Sequence, residues 1–301
     1  SGGSSLDSNN NVVIGTTLLS NSSNTSGIAI GYGALGSNTS GDQNHAIGYS
    51  ALTANTTGIE NVAFGYAALG ANTTGEFNVG LGNHSLQQNT TGDNNTSIGY
   101  GALENNTTGS NNVSVGVRAL RANTSGTYNN AIGEGSLKSN TTGQANTANG
   151  YQALYSNTTS GENTANGYQA LYSNSTGAQN TAIGFKALLS NTTGSNNTAV
   201  GDLALNSNTT GVQNTAIGRS ANVSSYNLTN ATAIGFNAQV NASDKIRLGN
   251  TAVTVIEGQV AFTNASDRRL KKDITSTKYG LETILKLVPV DYLLKSNNLS
   301  Q

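Results

Sequence analysis

The chain has no cysteine, methionine or tryptophan, and one proline in 301 residues. Without cysteine, neither a disulfide framework nor a thiolate metal centre can form. Charge is also scarce: Asp, Glu, Lys and Arg make up 10% of the residues, against about 25% in ordinary domains. The formal net charge of −1 gives no electrostatic hold on nucleic acid or an anionic membrane. No apolar run is long enough to cross a bilayer, so membrane insertion is not expected, and no secretory leader is visible. The two histidines, His45 and His84, fall at different phases of the repeat described below, and no Gly-Gly-x-Gly-x-Asp calcium pattern occurs. No metal or other cofactor is therefore expected. The first residue is Ser1 rather than Met, which points to a fragment or a processed chain.

Glycine, asparagine, threonine and serine fill the space that these absences leave. Such a composition alone suggests disorder, but here it is ordered by a strict period. Glycine returns every 17 residues from Gly31 through Gly133 and Gly184 to Gly235. A unit too short to fold alone, repeated this strictly, stacks on copies of itself. The residue before the phase glycine is large and apolar in eleven coils, as at Ile30, Ile132 and Ile183, and the residue before that is small, usually alanine. Four residues after the glycine comes leucine, as at Leu137 and Leu188. The segment Asn-Thr-Thr-Gly supplies an Asn that can bond its own backbone and a Gly that relaxes the turn.

Seventeen residues suit one turn of a solenoid. The expected fold is therefore all-β: a β-solenoid, read as a left-handed β-roll with two short strands per coil. Thirteen coils at ~4.8 Å give a shaft of about 60 Å. Proline is absent from the repeats, as expected where every backbone N–H joins a ladder. One Ile and one Leu per coil are little to bury, so three chains sharing one core in an elongated homotrimer is the economical solution. The expected organisation is a lead-in over 1–27, the shaft over 28–240, a β-rich connector over 241–265 and a different tail over 266–301.

Two coils break the apolar position with Asn149 and Asn166. These either form a polar layer that fixes register or holds water or an ion, or they face solvent or ladder with one another. At Thr159-Ser160-Gly161 the turn glycine is displaced by one place. Asn-x-Ser/Thr sequons at Asn38, Asn55, Asn72, Asn106, Asn191 and Asn208 arise from the repeat itself. The acidic residues Asp42, Glu60, Glu76, Glu104 and Glu134 are scattered, which argues against a paired-carboxylate enzyme acting on polysaccharide.

The last 36 residues hold seven of the fourteen Lys and Arg, and the only proline, Pro289. Leu281, Ile284, Leu285 and Val288 have the spacing of a short amphipathic α-helix ended by Pro289. The run Ser266-Asp267-Arg268-Arg269-Leu270-Lys271-Lys272-Asp273-Ile274, with that helix and Val290-Asp291-Tyr292, resembles the endosialidase-type intramolecular chaperone found at the C-terminus of trimeric phage tail fibres and spikes. The repeats are similar, more loosely, to the heads of trimeric autotransporter adhesins and to long-repeat phage fibres. The resemblance implies trimerisation followed by self-cleavage of the Ser266–Asp267 bond, with Ser266 as nucleophile and Lys271 as its basic partner. A lysine can serve as that base once desolvation lowers its pKa. Otherwise Ser266 and Asp267 cap a helix and Lys271 is solvated.

Together these readings imply a structural fibre outside the cell, on a virion surface, whose partners are its own copies and a host-surface glycan or protein receptor. The alternatives are a cellular surface adhesin or extracellular filament subunit, and, from a different class, an ice-binding solenoid built on the threonine pairs.

Overall fold

In a computed structural model, residues 5–6, 12–14 and 27–257 are described. The chain divides into two compact units, Ser1–Val253 and Thr254–Gln301, and the fold below is that of the first. Sixteen short strands form one sheet in sequence order. The first pair, Ser5–Leu6 with Val12–Ile14, is antiparallel; every later pair in that sheet is parallel. From Ile28–Ile30 to Thr232–Ile234, thirteen coils pair in a register of 17, with Ala29 beside Ala46 and Ile30 beside Ile47. This is a β-solenoid with no helix among the described residues.

Each coil contributes one three-residue strand to that sheet, rather than two strands. The leucine segment, expected to be the second, is laddered but bent. The eleven leucines spaced 17 apart from Leu35 to Leu205 have φ between 47° and 53°. That is the left-handed region, costing roughly 1–2 kcal/mol for an L-residue. The cost is met by burial, because each of these leucines is fully inside. Their N–H groups still bond the next coil, Leu35 N to Ala51 O at 3.1 Å and Leu52 N to Ala68 O at 3.0 Å. Inter-coil hydrogen bonding thus continues around the coil, outside the strands proper.

The interior is half apolar and half amide. Alanine and leucine fill one side. The other holds two columns of eleven asparagines each, Asn38 to Asn208 and Asn44 to Asn214. Asn55 Nδ2 donates to Asn38 Oδ1 (2.8 Å) and to Gly58 O (3.0 Å), and Asn44 Nδ2 donates to the same Gly58 oxygen (2.7 Å). In the second column Asn61 Nδ2 donates to Asn44 Oδ1 (3.1 Å) and Gly75 O (2.8 Å). Every coil supplies the acceptor for the next, so the amides are satisfied without water.

Glycine is required where coils approach most closely. Gly133 has φ +131°, and a Cβ there would lie 2.5 Å from Gly150 O. The turn column holds its phase through the irregular coil: Ser160, not Gly161, takes the place of the turn glycine. Its carbonyl accepts from Asn146 and Asn157 at 2.9 Å, and its hydroxyl bonds Asn157 Oδ1.

The C-terminal end of the solenoid is tightened. Ile246–Leu248 pairs with Thr232–Ile234, an offset of 14 rather than 17. The leucine position becomes Asn222 and then Gln239, while Val223 and Val240 become the buried pair of a second two-stranded sheet.

Candidate functional site

Strand alternation decides which side chains meet the surroundings. In Thr181-Ala182-Ile183 the central alanine is fully buried, and Ile183 points outward with 42% of its surface exposed. Ile98, Ile132, Ile217 and Ile234 lie within a few per cent of that value, and Phe64 reaches 54%. The apolar residue before each phase glycine therefore forms no part of the single-chain core. It forms an outward column, one coil apart, in which Ile, Phe, Leu and Val occupy eleven of thirteen strands. Soluble monomers seldom leave apolar patches beyond a few hundred Å².

Asn149 and Asn166 stand in this column, between Ile132 and Ile183, paired in register. Both are exposed. Their backbone carbonyls accept from Gly167 and Gly184 at 2.8 Å, while their side-chain amides make no hydrogen bond to one another. The two amides are thus uncommitted on the outer face.

Beside the apolar column, across the phase glycine, runs an aromatic one. Tyr32, Tyr49 and Tyr66 stack with centroids 5.3 Å apart, as do Tyr151, Tyr168 and Phe185 at 5.2 Å. A shallow depression of about 350 Å³ lies beside Tyr66, over Ser50, Ala67, Gly70, His84 and Gln87. Charge is sparse and locally compensated. Arg121 Nε donates to Glu104 Oε2 of the neighbouring coil at 2.6 Å, and this hydrogen bond raises the guanidinium pKa above its ordinary value.

The threonine expected to favour ice is committed internally: Thr56 Oγ1 donates to Thr73 O and Thr73 Oγ1 to Thr90 O, both at 3.0 Å. Only the second threonine of each pair, such as Thr57, is exposed, which gives a single ladder rather than a strand-borne pair. No group of His, Cys, Asp and Glu able to hold a metal occurs among the described residues, and no helix there is long and apolar enough to cross a membrane. Ser266, Asp267, Lys271 and the amphipathic segment ending at Pro289 lie outside the described residues.

Sequence reading placed the Asn of Asn-Thr-Thr-Gly in a turn. It does bond its own turn, but it also stacks as an interior ladder, and turn propensity gives no hint of the second ladder, Asn44 to Asn214. The available signal was an asparagine held unchanged at two phases while neighbouring polar positions vary.

No curated protein matches the chain. Residues 266–300 match the family model described as chaperone of endosialidase, the segment that holds Ser266 and Lys271. That match, with the β-solenoid ahead of it, fits a phage tail fibre-like protein.

Proposed function

We propose that the chain forms the shaft of a homotrimeric, left-handed fibre on a virion surface, which carries attachment to a host-surface glycan or protein receptor. The observation that carries this reading is the outward apolar column: side chains exposed in one copy but suited to burial between copies. The chaperone match at residues 266–300 supports trimer assembly independently of the column. Stacked hydrogen-bonded coils make a stiff spacer, and threefold symmetry multiplies weak surface contacts.

The C-terminal segment acts as the assembly chaperone. After assembly, water adds across the Ser266–Asp267 peptide bond, leaving a carboxyl on Ser266 and an amine on Asp267. Ser266 supplies the hydroxyl and Lys271 the base. The test is the particle mass, native beside denatured. A native mass of three subunits, with a subunit ending at Ser266 that becomes full length in Ser266→Ala, is expected. A folded monomer overturns the trimer, and an uncut wild-type trimer overturns the cleavage.

A further inference from the structure

A shaft of equal coils has a problem of register. Neighbouring copies meeting along the outward column would find nearly the same surface after sliding by one coil, ~4.8 Å. From Ile132 to Ile234 the column reads Ile, Asn, Asn, Ile, Val, Ile, Ile. The companion outward position, two residues earlier, is threonine in six successive coils from Thr147 to Thr232. In this half of the shaft, Ile-for-Val exchange barely distinguishes one level from the next. Within the column itself, Asn149 and Asn166 are the one chemical discontinuity; at the companion position the change from Asn130 to the threonines comes one coil earlier.

We propose that Asn149 and Asn166 set the axial register in which copies of this chain assemble. The proposal rests on the trimer reading above, and its partner is a second and third copy of the same chain. The column carries no charge of either sign to repel a copy, and its pitch matches that of any copy by construction. Over thirteen coils, the stripe and its flanking residues approach the ~800 Å² that one partner contributes to a stable interface.

In register, the amides of the three copies lie at common levels. Each Nδ2 can then donate to a neighbouring copy's Oδ1, a use for groups that bond nothing in the single chain. A slip of one coil leaves one shared asparagine level and sets the remaining amides against isoleucine; a slip of two coils removes every shared level. Buried amides without partners are disfavoured, so only one alignment satisfies all of them. A single buried asparagine fixes pairing in coiled coils by the same physics. Phe64 interrupts the other half only in volume, which apolar packing absorbs more readily than an unpaired amide.

The absence of cysteine makes the test clean, since introduced thiols are the only ones present. Chains carrying Ile183→Cys and chains carrying Ile217→Cys, differently tagged, are co-expressed and oxidised. These positions are two coils apart, about 10 Å along the axis and beyond disulfide reach. With Asn149 and Asn166 in place, only 183–183 and 217–217 links are expected. In the Asn149→Ile/Asn166→Ile background, like-with-like yield should fall severalfold and 183–217 links should appear, with the trimer mass retained. Moving the pair, by Ile98→Asn/Val115→Asn in that background, should restore like-with-like linkage.

Unchanged linkage in the isoleucine background overturns the register role while leaving the trimer intact. A trimer that forms no links at either position overturns the choice of face. A monomeric native mass overturns the trimer reading on which the proposal rests.

Discussion

The phase glycine and the interior asparagine impose opposite demands on a residue. Glycine is needed for what it lacks: at Gly133 any Cβ meets the carbonyl of Gly150, and φ is +131°. Gly133→Ala should therefore prevent cooperative folding or lower the melting temperature by more than 10 °C. Gly135→Ala is the control, since its nearest neighbours would be 3.5 Å away and only the left-handed φ of +67° opposes it, at about 1 kcal/mol. Melting followed by circular dichroism separates the two, and equal losses would refute the steric account.

Asparagine is needed for what it donates and accepts. Asn123→Ala removes bonds to Asn106 Oδ1 (2.8 Å) and Gly126 O (3.0 Å), and deprives Asn140 Nδ2 of its acceptor (2.9 Å). A loss of roughly 1–3 kcal/mol is expected in urea unfolding, on the usual scale for unsatisfied buried polar groups. A neutral result would show that water replaces the amide.

At the scale of the coil, leucine and isoleucine divide the work. Leu188 is fully enclosed and Ile183 is 42% exposed, although both recur every 17 residues. Leu188→Ala should cost ~2–5 kcal/mol of coil stability by opening a cavity. Ile183→Ser should leave the coil's hydrogen bonds intact but weaken self-association. Unfolding curves beside sedimentation of each variant make the comparison. If Ile183→Ser destabilised the isolated coil as much as Leu188→Ala, the outward assignment would be wrong. The bend at leucine explains why the second strand is missing: a residue at φ near +50° cannot continue an extended segment.

At the scale of the molecule, the structure gives the sequons a definite fate. Asn38, Asn55, Asn72, Asn106, Asn191 and Asn208 are all at most 1% exposed, and their amides are used in the core. A glycan on any of them is incompatible with the stacked fold. Material secreted from eukaryotic cells should therefore partition into glycosylated, unfolded chain and folded rod without sugar at these positions. Peptide mass mapping of the folded fraction checks this, and a glycan found there on Asn55 would overturn the ladder. The proposed cleavage after Ser266 belongs to the same scale, because in that proposal it follows assembly of the trimer.

The period of 17, the coil length, the thirteen phase glycines and the change of chemistry at Ser266 were determined by the sequence alone. Each is a matter of order along the chain, and stacking identical units preserves that order in space. Tertiary structure decided what a one-dimensional period cannot carry. Hydrophobicity assigned both Ile183 and Leu188 to a core, but strand alternation turned Ile183 outward while a left-handed φ turned Leu188 in. Turn propensity assigned the asparagine to a loop. Its second role, as acceptor for the asparagine one coil onward, exists only after residues 17 apart come within 3 Å of each other. The one-place displacement of the turn glycine to Gly161 is legible in the sequence, but only the fold shows that Ser160 takes the turn position, because the ladder's carbonyl acceptor matters there more than the side chain.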